Sequence, residues 1–197
     1  MTEIILIRHA ATKGNLKKKY VGRTDEPLCA KGRESLAEAV DRGDYPQVRT
    51  DAVLFVSPMR RCKETASLIY PGRKQIQIED FRECDFGDFE YRNYRELNGD
   101  PAYQAWIDSG GKAGFPGGEK PDDFRKRSVK AFERALELSR GFSQILFVVH
   151  GGTIMSVLSV FGRPQAEYYE WMAENGRGYV CLLTEDRQRF LKVLRKI

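Results

Sequence analysis

The chain has 197 residues, of which 41% are hydrophobic and 31% are charged, with a formal net charge of +5 and a pI near 9.0. This balance is typical of a folded globular chain and excludes a disordered one, and the length fits one domain, residues 1–197. No segment approaches the roughly 20 apolar residues that a membrane span needs, and no export signal precedes the first strand. We therefore expect a cytoplasmic protein that does not bind a membrane.

The excess of positive charge raises the question of an anionic partner. Acidic residues are interleaved with most of the basic ones, and Lys17–Lys19 is the only purely basic run, so we expect no nucleic-acid partner. A solvated surface and attraction of a substrate phosphate both remain open as explanations of the charge. Cys29, Cys62, Cys84 and Cys181 are widely scattered, which favours free thiols over a zinc site or a disulfide framework.

The hydrophobic pattern predicts alternating strands and helices. Apolar runs predict strands near residues 3–8, 52–56, 75–79, 144–149 and 178–184. Helices are expected after Lys31, over residues 121–140, and after Ser57–Pro58, which would supply an N-cap and a first-turn proline. The alternation indicates an α/β fold, a three-layer sandwich with a mostly parallel central sheet and helices on both faces.

Two regions depart from this alternation. Tyr179–Leu183 and Phe190–Leu194 flank the polar stretch 185–188 and predict an antiparallel hairpin at an edge of the sheet. Between residues 86 and 118 the periodicity weakens, aromatic residues become dense and glycines interrupt the chain. We expect this segment to form a small cap insertion over the C-terminal ends of the strands.

The two histidines of the chain each follow a short apolar run. His9 comes after the run that begins at Ile4, and His150 comes after Ile145–Val149. Runs without polar alternation fit strands that are buried on both faces of a parallel sheet, and ligands bind outside the carboxyl ends of such strands. A single histidine in this position would more often be a core residue, but the shared placement of both predicts one active site.

Polar and basic groups next to these histidines suit an anion. Arg8 precedes His9, and Thr12 and Asn15 lie in the turn that follows. His150 precedes Gly151 at the start of a predicted helix, whose backbone N–H groups can bind an anion and favour a neutral imidazole.

Arg60 and Arg61 occupy the first turn of a predicted helix, where the helix dipole disfavours cations by about 0.3–1 kcal/mol. A bound phosphate would reverse that preference, because it attracts both the arginine and the helix N-terminus. We expect Arg60 to point into solvent and Arg61, beside Cys62 on the inner side of the turn, to contact the phosphate.

Five segments in chain order resemble the motifs of the histidine phosphatase superfamily, which has the phosphoglycerate mutase-like fold. They are LIRHAATKGN, GRTDEPLCAKG, SPMRRCKETA, FRECDFGDFE and VVHGGT. Because the resemblance covers essentially the whole chain, it implies a single histidine phosphatase domain over residues 1–197, with residues 86–118 as its cap.

The resemblance implies a role for each of the candidate site residues. His9 would be the phosphorylated nucleophile, Glu83 the proton donor and His150 the second histidine of the catalytic site. The phosphate-binding candidates are Arg8, Asn15, Arg61 and Gly151, and the candidates for the substrate pocket are Thr12, Gly22 and Arg23.

The sequence departs from the family pattern at two places. Ala10 and Ala11 stand where the family commonly has glycine and an acidic residue, and an alanine would be strained if that turn needed a positive φ. Tyr91 stands where many relatives have glycine, which affects the local shape of the substrate pocket.

The resemblance further implies a phosphoric monoester hydrolase of the histidine acid phosphatase type, without cofactor or metal, acting on a small-molecule phosphate ester. Three functions remain open. These are a phosphomonoesterase that forms a phosphohistidine, a phosphoglycerate mutase-type phosphoryl transferase, and a non-catalytic phosphate-binding relative, which the intact His9, Glu83 and His150 disfavour. A homodimer is compatible with the sequence.

The substrate is suggested by two segments, FRECDFGDFE and FPGGEKPDDF, which are more similar to the small phosphatases of the α-ribazole phosphatase type than to the mutases. This makes α-ribazole 5'-phosphate a candidate substrate. Aromatic residues of the predicted cap could stack on its ring, although packing of the cap against the sheet is favoured for most of them. They are Phe86, Phe89, Tyr91, Tyr94, Tyr103, Trp106 and Phe115.

Overall fold

The computed structural model describes residues 2–185 and 189–197. Its strands are β1 (Thr2–Arg8), β2 (Ala52–Val56), β3 (Gln75–Gln77), β4 (Gln144–Val149), β5 (Gly162–Arg163), β6 (Gly178–Glu185) and β7 (Arg189–Lys196). Its α-helices are α1 (Lys13–Leu16), α2 (Ala30–Asp41), α3 (Arg60–Ile69), α4 (Pro101–Asp108), α5 (Pro121–Leu138) and α6 (Gly151–Phe161). Short 3-10 helices lie at Glu79–Phe81, Gly87–Phe89 and Tyr168–Trp171.

The described strands form one sheet in the order β3-β2-β4-β1-β6-β7-β5. Strands β3, β2, β4 and β1 run parallel, whereas β6 pairs in antiparallel fashion with β1 and β7. The unbroken apolar sequences of β2 and β4 are buried along their whole length, as strands covered on both faces should be. The predicted α/β fold with a mostly parallel sheet is confirmed.

Alternate side chains of β4 enter two different hydrophobic clusters, because successive side chains of a strand point to opposite faces. Phe147 packs in the cluster that includes Phe132 of α5 and Leu158 of α6. Val148 packs in the cluster that includes Leu36 of α2 and Cys62 of α3. Helices therefore cover both faces of the sheet, which confirms the predicted three layers.

Helix α3 begins later than the sequence predicted. Met59 is its N-cap and Arg60 its first residue, so the assignment of Ser57 and Pro58 to the helix start was wrong. The Ser57 hydroxyl lies 2.8 Å from Nε2 of His150 and accepts from the backbone N–H of Met59 at 3.3 Å, so it contacts the turn that leads into the helix. The helix predicted over residues 121–140 is α5, with Pro121 in its first turn.

Strands β6 and β7 form the predicted antiparallel pair. The residues 186–188 of the predicted turn lie outside the described residues. The predicted edge position was wrong, because β5 pairs in parallel with β7, with Gly162 opposite Leu191.

The segment 86–118 contains α4 and packs through its own aromatic cluster. Phe89, Leu97, Tyr103 and Phe115 share this cluster with Phe124 of α5. Other side chains of the segment line the cavity that also contains Arg8 and His9 at the end of β1. The segment therefore lies beside the C-terminal end of a central strand.

We predict that Phe147→Ala lowers the free energy of unfolding by about 3–5 kcal/mol, because the ring is buried among three other phenylalanines. Its neighbours are Phe55, Phe81 and Phe132, with ring centroids 5.6, 5.8 and 5.2 Å away. Urea unfolding of the variant measures this loss. Phe142→Ala, at a ring that is 37% exposed, is the matched control and should cost much less. Equal losses in the two variants would contradict this account of the core.

Candidate active site

Strands β1 and β4 end side by side, with Arg8 opposite Val149 in their parallel register. The next residue of each chain segment is a histidine, so His9 and His150 share one edge of the sheet. Their ring centroids lie 5.2 Å apart, with an interplanar angle of 68°. The convergence predicted from the two strand ends is therefore present.

His9 is buried, and its Nδ1 lies 2.8 Å from the carbonyl oxygen of Ala10. A carbonyl oxygen can only accept, so Nδ1 carries the proton and Nε2 keeps its lone pair. Burial lowers the pKa of His9 well below its usual range, and the guanidinium groups of Arg61 and Arg8 lower it further. The result is a neutral imidazole with a free nucleophilic nitrogen.

His150 is the N-cap residue of α6 and is fully buried. Its Nε2 lies 2.8 Å from Oγ of Ser57 and 3.6 Å from Sγ of Cys62. Burial lowers the pKa of His150 well below its usual range, and Arg61, His9 and Arg8 act in the same direction. This ring is also neutral and is held by two side chains from the β2–α3 region.

Arg8 and Arg61 each keep a buried Nε that has no hydrogen-bond partner among the described residues. Arg61 is completely buried and donates to the carbonyl oxygens of Thr24, at 2.8 Å, and Gly22, at 2.9 Å. Arg8 donates from Nη1 to the carbonyl oxygen of Ala173 at 2.8 Å. Because an unpaired buried donor is costly, these two Nε groups are suited to an anion that would accept from them.

Glu83 lies on the loop before the segment 86–118 and lines the same cavity as Arg8 and His9. Burial raises the pKa of the Glu83 carboxyl, and this effect prevails over the backbone N–H of Cys84, 3.0 Å away, and the charge of Arg61. A Cβ atom on Gly152 would come within 2.6 Å of Oε1 of Glu83, so glycine there makes room for the carboxyl. The group is suited to hold a proton and donate it.

Asn15 and Gly151 also line the cavity. The Asn15 carboxamide oxygen accepts from the backbone N–H of Thr12 at 3.1 Å, which leaves its Nδ2 as the donating end. A Cβ atom on Gly151 would stand 3.4 Å from Nε of Arg8. Arg61 and His150 are buried near this group of residues but do not line the described cavity.

The three residues predicted for the substrate pocket do not line the described cavity. Thr12 is fully buried and caps α1, where its Oγ1 accepts from the N–H of Asn15. Gly22 accepts the hydrogen bond from Arg61 and therefore supports the site from outside the cavity wall. The Arg23 side chain is 63% exposed and pairs with Asp85 at 3.5 Å.

The cavity beside His9 has a volume of about 330 Å³, and much of its wall is aromatic. Its aromatic residues include Tyr20, Phe86, Trp106, Phe115, Phe124 and Tyr168. Of the seven cap aromatics that the sequence singled out, Phe86, Trp106 and Phe115 line the cavity, whereas Phe89 and Tyr103 pack in the aromatic cluster.

A sequence model of the histidine phosphatase superfamily (branch 1) matches residues 4–195. The chain belongs to this superfamily. It is 30% identical over 87% of its length to the adenosylcobalamin/alpha-ribazole phosphatase of Escherichia coli, and the match covers 85% of that protein. It is 31% identical over 86% of its length to the 2,3-bisphosphoglycerate-dependent phosphoglycerate mutase 2 of Gloeobacter violaceus, of which 80% is covered.

The fold comparison points to the same superfamily. The crystal structure of the alpha-ribazole phosphatase from Shigella flexneri superimposes with a TM-score of 0.80 at 26% identity, and covers 98% of this chain and 96% of its own. The superfamily comprises phosphatases and mutases, and the similarities include both kinds of enzyme.

The two departures from the superfamily pattern have different outcomes. Ala10 does not adopt a positive φ, so alanine causes no backbone strain there. Tyr91 has a φ of 59°, the left-handed conformation that glycine adopts without cost. Its side chain compensates with a 3.2 Å hydrogen bond to Glu26 and a ring that lies under the ammonium group of Lys19. Tyr91 does not line the cavity.

Among the residues that the sequence reasoning missed, Ser57 contacts His150 directly and Asn175 contacts His9 directly. Ser57 belongs to the SPMRRCKETA segment but was interpreted as a helix cap. Asn175, in the loop before β6, donates to the carbonyl of His9 at 3.0 Å, and no local pattern marks it. Arg60, in contrast, behaves as predicted, because its side chain is 58% exposed and pairs with Glu64.

Within residues 2–185 and 189–197, no three histidine, cysteine or acidic side chains are grouped so that they could hold a metal ion. In the same part of the chain, no helix combines the length and apolarity that crossing a bilayer requires.

We predict that the buried neutral His150 makes stability fall as the pH decreases below about 6.5, the value for an unfolded histidine. Its folded pKa is lowered, so the unfolded chain takes up the proton first. The contribution of His150 to the free energy of unfolding is therefore complete above pH 6.5, and it is lost as the pH falls toward the folded pKa. His150→Gln should remove up to about 1.4 kcal/mol per pH unit from the slope of unfolding free energy against pH. Urea unfolding between about pH 7 and 5 measures both slopes, and parallel curves would contradict the prediction.

Proposed function

We propose that the chain is a phosphomonoesterase, one domain over residues 1–197 with a cap at 86–118, which hydrolyses a small organic phosphate through a phosphohistidine. The observation that carries the proposal is the state of His9. Its Nδ1 is tied to Ala10, its Nε2 keeps a lone pair, and its pKa is lowered by burial and by two arginines. These are the properties of a nucleophile toward phosphorus.

In the first step, Nε2 of His9 attacks the phosphorus in line and forms a P–N bond while the ester P–O bond breaks. Glu83, whose raised pKa favours the protonated carboxyl, donates its proton to the departing alkoxide oxygen. Arg8, Arg61 and Asn15, together with His150, stabilise the charge on the equatorial oxygens through fixed hydrogen bonds.

In the second step, the Glu83 carboxylate accepts a proton from a water molecule as that water attacks the phosphohistidine. The P–N bond breaks, its electron pair returns to Nε2 of His9, and inorganic phosphate leaves. The two guanidinium groups supply the positive charge that other phosphoryl-transfer enzymes take from metal ions, so the proposal requires no metal.

The aromatic wall of the cavity supports a substrate with a flat ring, and α-ribazole 5'-phosphate is our candidate. A cavity of about 330 Å³ suffices for a small ligand, and aromatic rings prefer offset or edge-to-face contact with other rings. The rings of Trp106 and Tyr103 are stacked, with their centroids 5.9 Å apart. The Trp106 ring is therefore already held in place for contact with a substrate ring. Proteins of similar sequence and fold bear the name alpha-ribazole phosphatase.

The second candidate is phosphoryl transfer of the phosphoglycerate mutase type, which the 31% identity to such a mutase favours. A mutase would use the same His9 but return the phosphoryl group to a hydroxyl instead of water. The third possibility, a relative that only binds phosphate, is disfavoured because His9 and Glu83 have pKa values shifted in the directions that catalysis needs.

We predict that His9→Ala abolishes phosphate release and that Arg61→Ala lowers kcat/KM by about 10³-fold, since an arginine on transferring phosphoryl oxygens contributes at least this much. Arg60→Ala is a matched control, because this neighbouring arginine is 58% exposed and pairs with Glu64. Initial rates with an aryl phosphate measure the three variants. Substantial turnover by the His9 variant would contradict the phosphohistidine mechanism.

The choice between esterase and mutase is tested with a panel of phosphomonoesters that includes α-ribazole 5'-phosphate and 3-phosphoglycerate, with and without 2,3-bisphosphoglycerate. We expect free phosphate without isomerisation, and the highest kcat/KM for the ring-bearing ester, because the cavity wall is aromatic. Isomerisation of 3-phosphoglycerate without phosphate release would establish the mutase instead.

A further inference from the structure

The loop between the 3-10 helix Tyr168–Trp171 and β6 holds the end of β1 from the side opposite β4. The backbone N–H of Gly176 donates to the carbonyl oxygens of Arg8 and His9, at 3.0 and 3.1 Å. The carbonyl oxygen of Ala173 accepts from the Arg8 guanidinium. This loop is therefore attached to the candidate nucleophile and to a candidate phosphate ligand at once.

Asn175, in the middle of this loop, makes two hydrogen bonds from one amide nitrogen. Its Nδ2 lies 3.0 Å from the carbonyl oxygen of His9 and 3.2 Å from Oδ1 of Asn15. A carboxamide has two N–H donors, and both are used here. The carbonyl oxygen of His9 can only accept a hydrogen bond, so the end of the Asn175 amide that faces it must be the nitrogen.

The Asn15 amide is fixed in turn. Its Oδ1 accepts from Asn175 and also from the backbone N–H of Thr12 at 3.1 Å. Turning the Asn15 amide over would place its Nδ2 opposite these two donors and lose both hydrogen bonds. With Oδ1 held at this end, Nδ2 is the end that remains to donate into the cavity, which Asn15 lines.

We propose that Asn175 is a positioning residue, which orients the Asn15 carboxamide so that its Nδ2 faces the phosphoryl oxygens. The proposal rests on the proposed function, because it takes the ligand of the cavity to be a phosphate. Asn15 with its amide reversed would present a carbonyl oxygen to an anion and repel it. Asn175 therefore acts through Asn15 and not by touching the substrate.

The test is a double-mutant cycle of Asn175→Ala and Asn15→Ala, with the dissociation constant of inorganic phosphate measured by calorimetry. Asn175→Ala should weaken phosphate binding about tenfold, the effect of one lost hydrogen bond to a charged group. In the Asn15→Ala background the same change should have no further effect, since coupled residues are non-additive. The carbonyl of His9 keeps its bond from Gly176 in every variant.

Asn98→Ala, at an exposed asparagine, is the matched control and should leave phosphate binding unchanged. If Asn175→Ala does not fold, Asn175→Asp replaces it in the cycle, because the carboxylate keeps the shape but cannot donate. It should weaken binding by at least the same factor.

Two results would overturn the proposal, and they differ from a failure of the proposed function. An unchanged phosphate affinity in Asn175→Ala would exclude the orienting role. An equal loss with and without Asn15 would show that Asn175 supports the fold alone. A wild-type protein that binds no phosphate would overturn the phosphatase proposal as well, so the two failures are distinguishable.

Discussion

The parallel pairing of β1 with β4 is the constraint on which the site depends. Their register places Arg8 opposite Val149, so the residues that follow, His9 and His150, leave the sheet at the same edge. Both strands are apolar and buried between two layers of helices, and a slip of one residue would turn every side chain to the opposite face. The cores on the two faces therefore fix the distance between two rings that belong to remote parts of the sequence.

The charges of the site are arranged around this pair of rings. Two buried guanidinium groups lower the pKa of His9, and the same groups are held by backbone carbonyl oxygens instead of carboxylates. Carbonyl partners orient Arg8 and Arg61 without neutralising them, so their full charge remains for an anion. A carboxylate partner would have raised the histidine pKa and weakened both the proposed nucleophile and the proposed anion site. Glu83 lines the same cavity as Arg8 and His9, and the raised pKa of its carboxyl favours the neutral form.

Much of this could be predicted from the sequence, because short-range patterns determine it. Apolar runs located the central strands, and the histidines at their ends located the site. The features that the sequence did not predict depend on contacts between distant segments of the chain. Ser57 has the residue type of a helix cap and stands just before a helix, yet its hydroxyl contacts His150 at the start of α6. Asn175 lies in an irregular loop, and its importance arises from contacts with the first turn after β1. Residue type at a strand end is visible in a sequence, but a partner in a distant segment, 93 residues away for Ser57 and 160 for Asn175 and Asn15, is not.

The cavity bears on the choice among candidate substrates, because basic groups and aromatic rings share its wall. Arg8 and Asn15 can supply donors that a phosphate requires, and rings such as Phe86 and Trp106 line the same cavity. A small carboxylate-bearing alcohol such as glycerate would need a cation besides Arg8, and Lys19 and Arg125 also line the cavity. Lys19 is paired with Glu96 at 3.4 Å and Arg125 with Asp122 at 3.7 Å, so each already has an acidic partner. Under the proposed function, a leaving group that carries a flat ring would be complementary to this wall, whereas a polar group placed against the rings would lose solvation without a compensating partner.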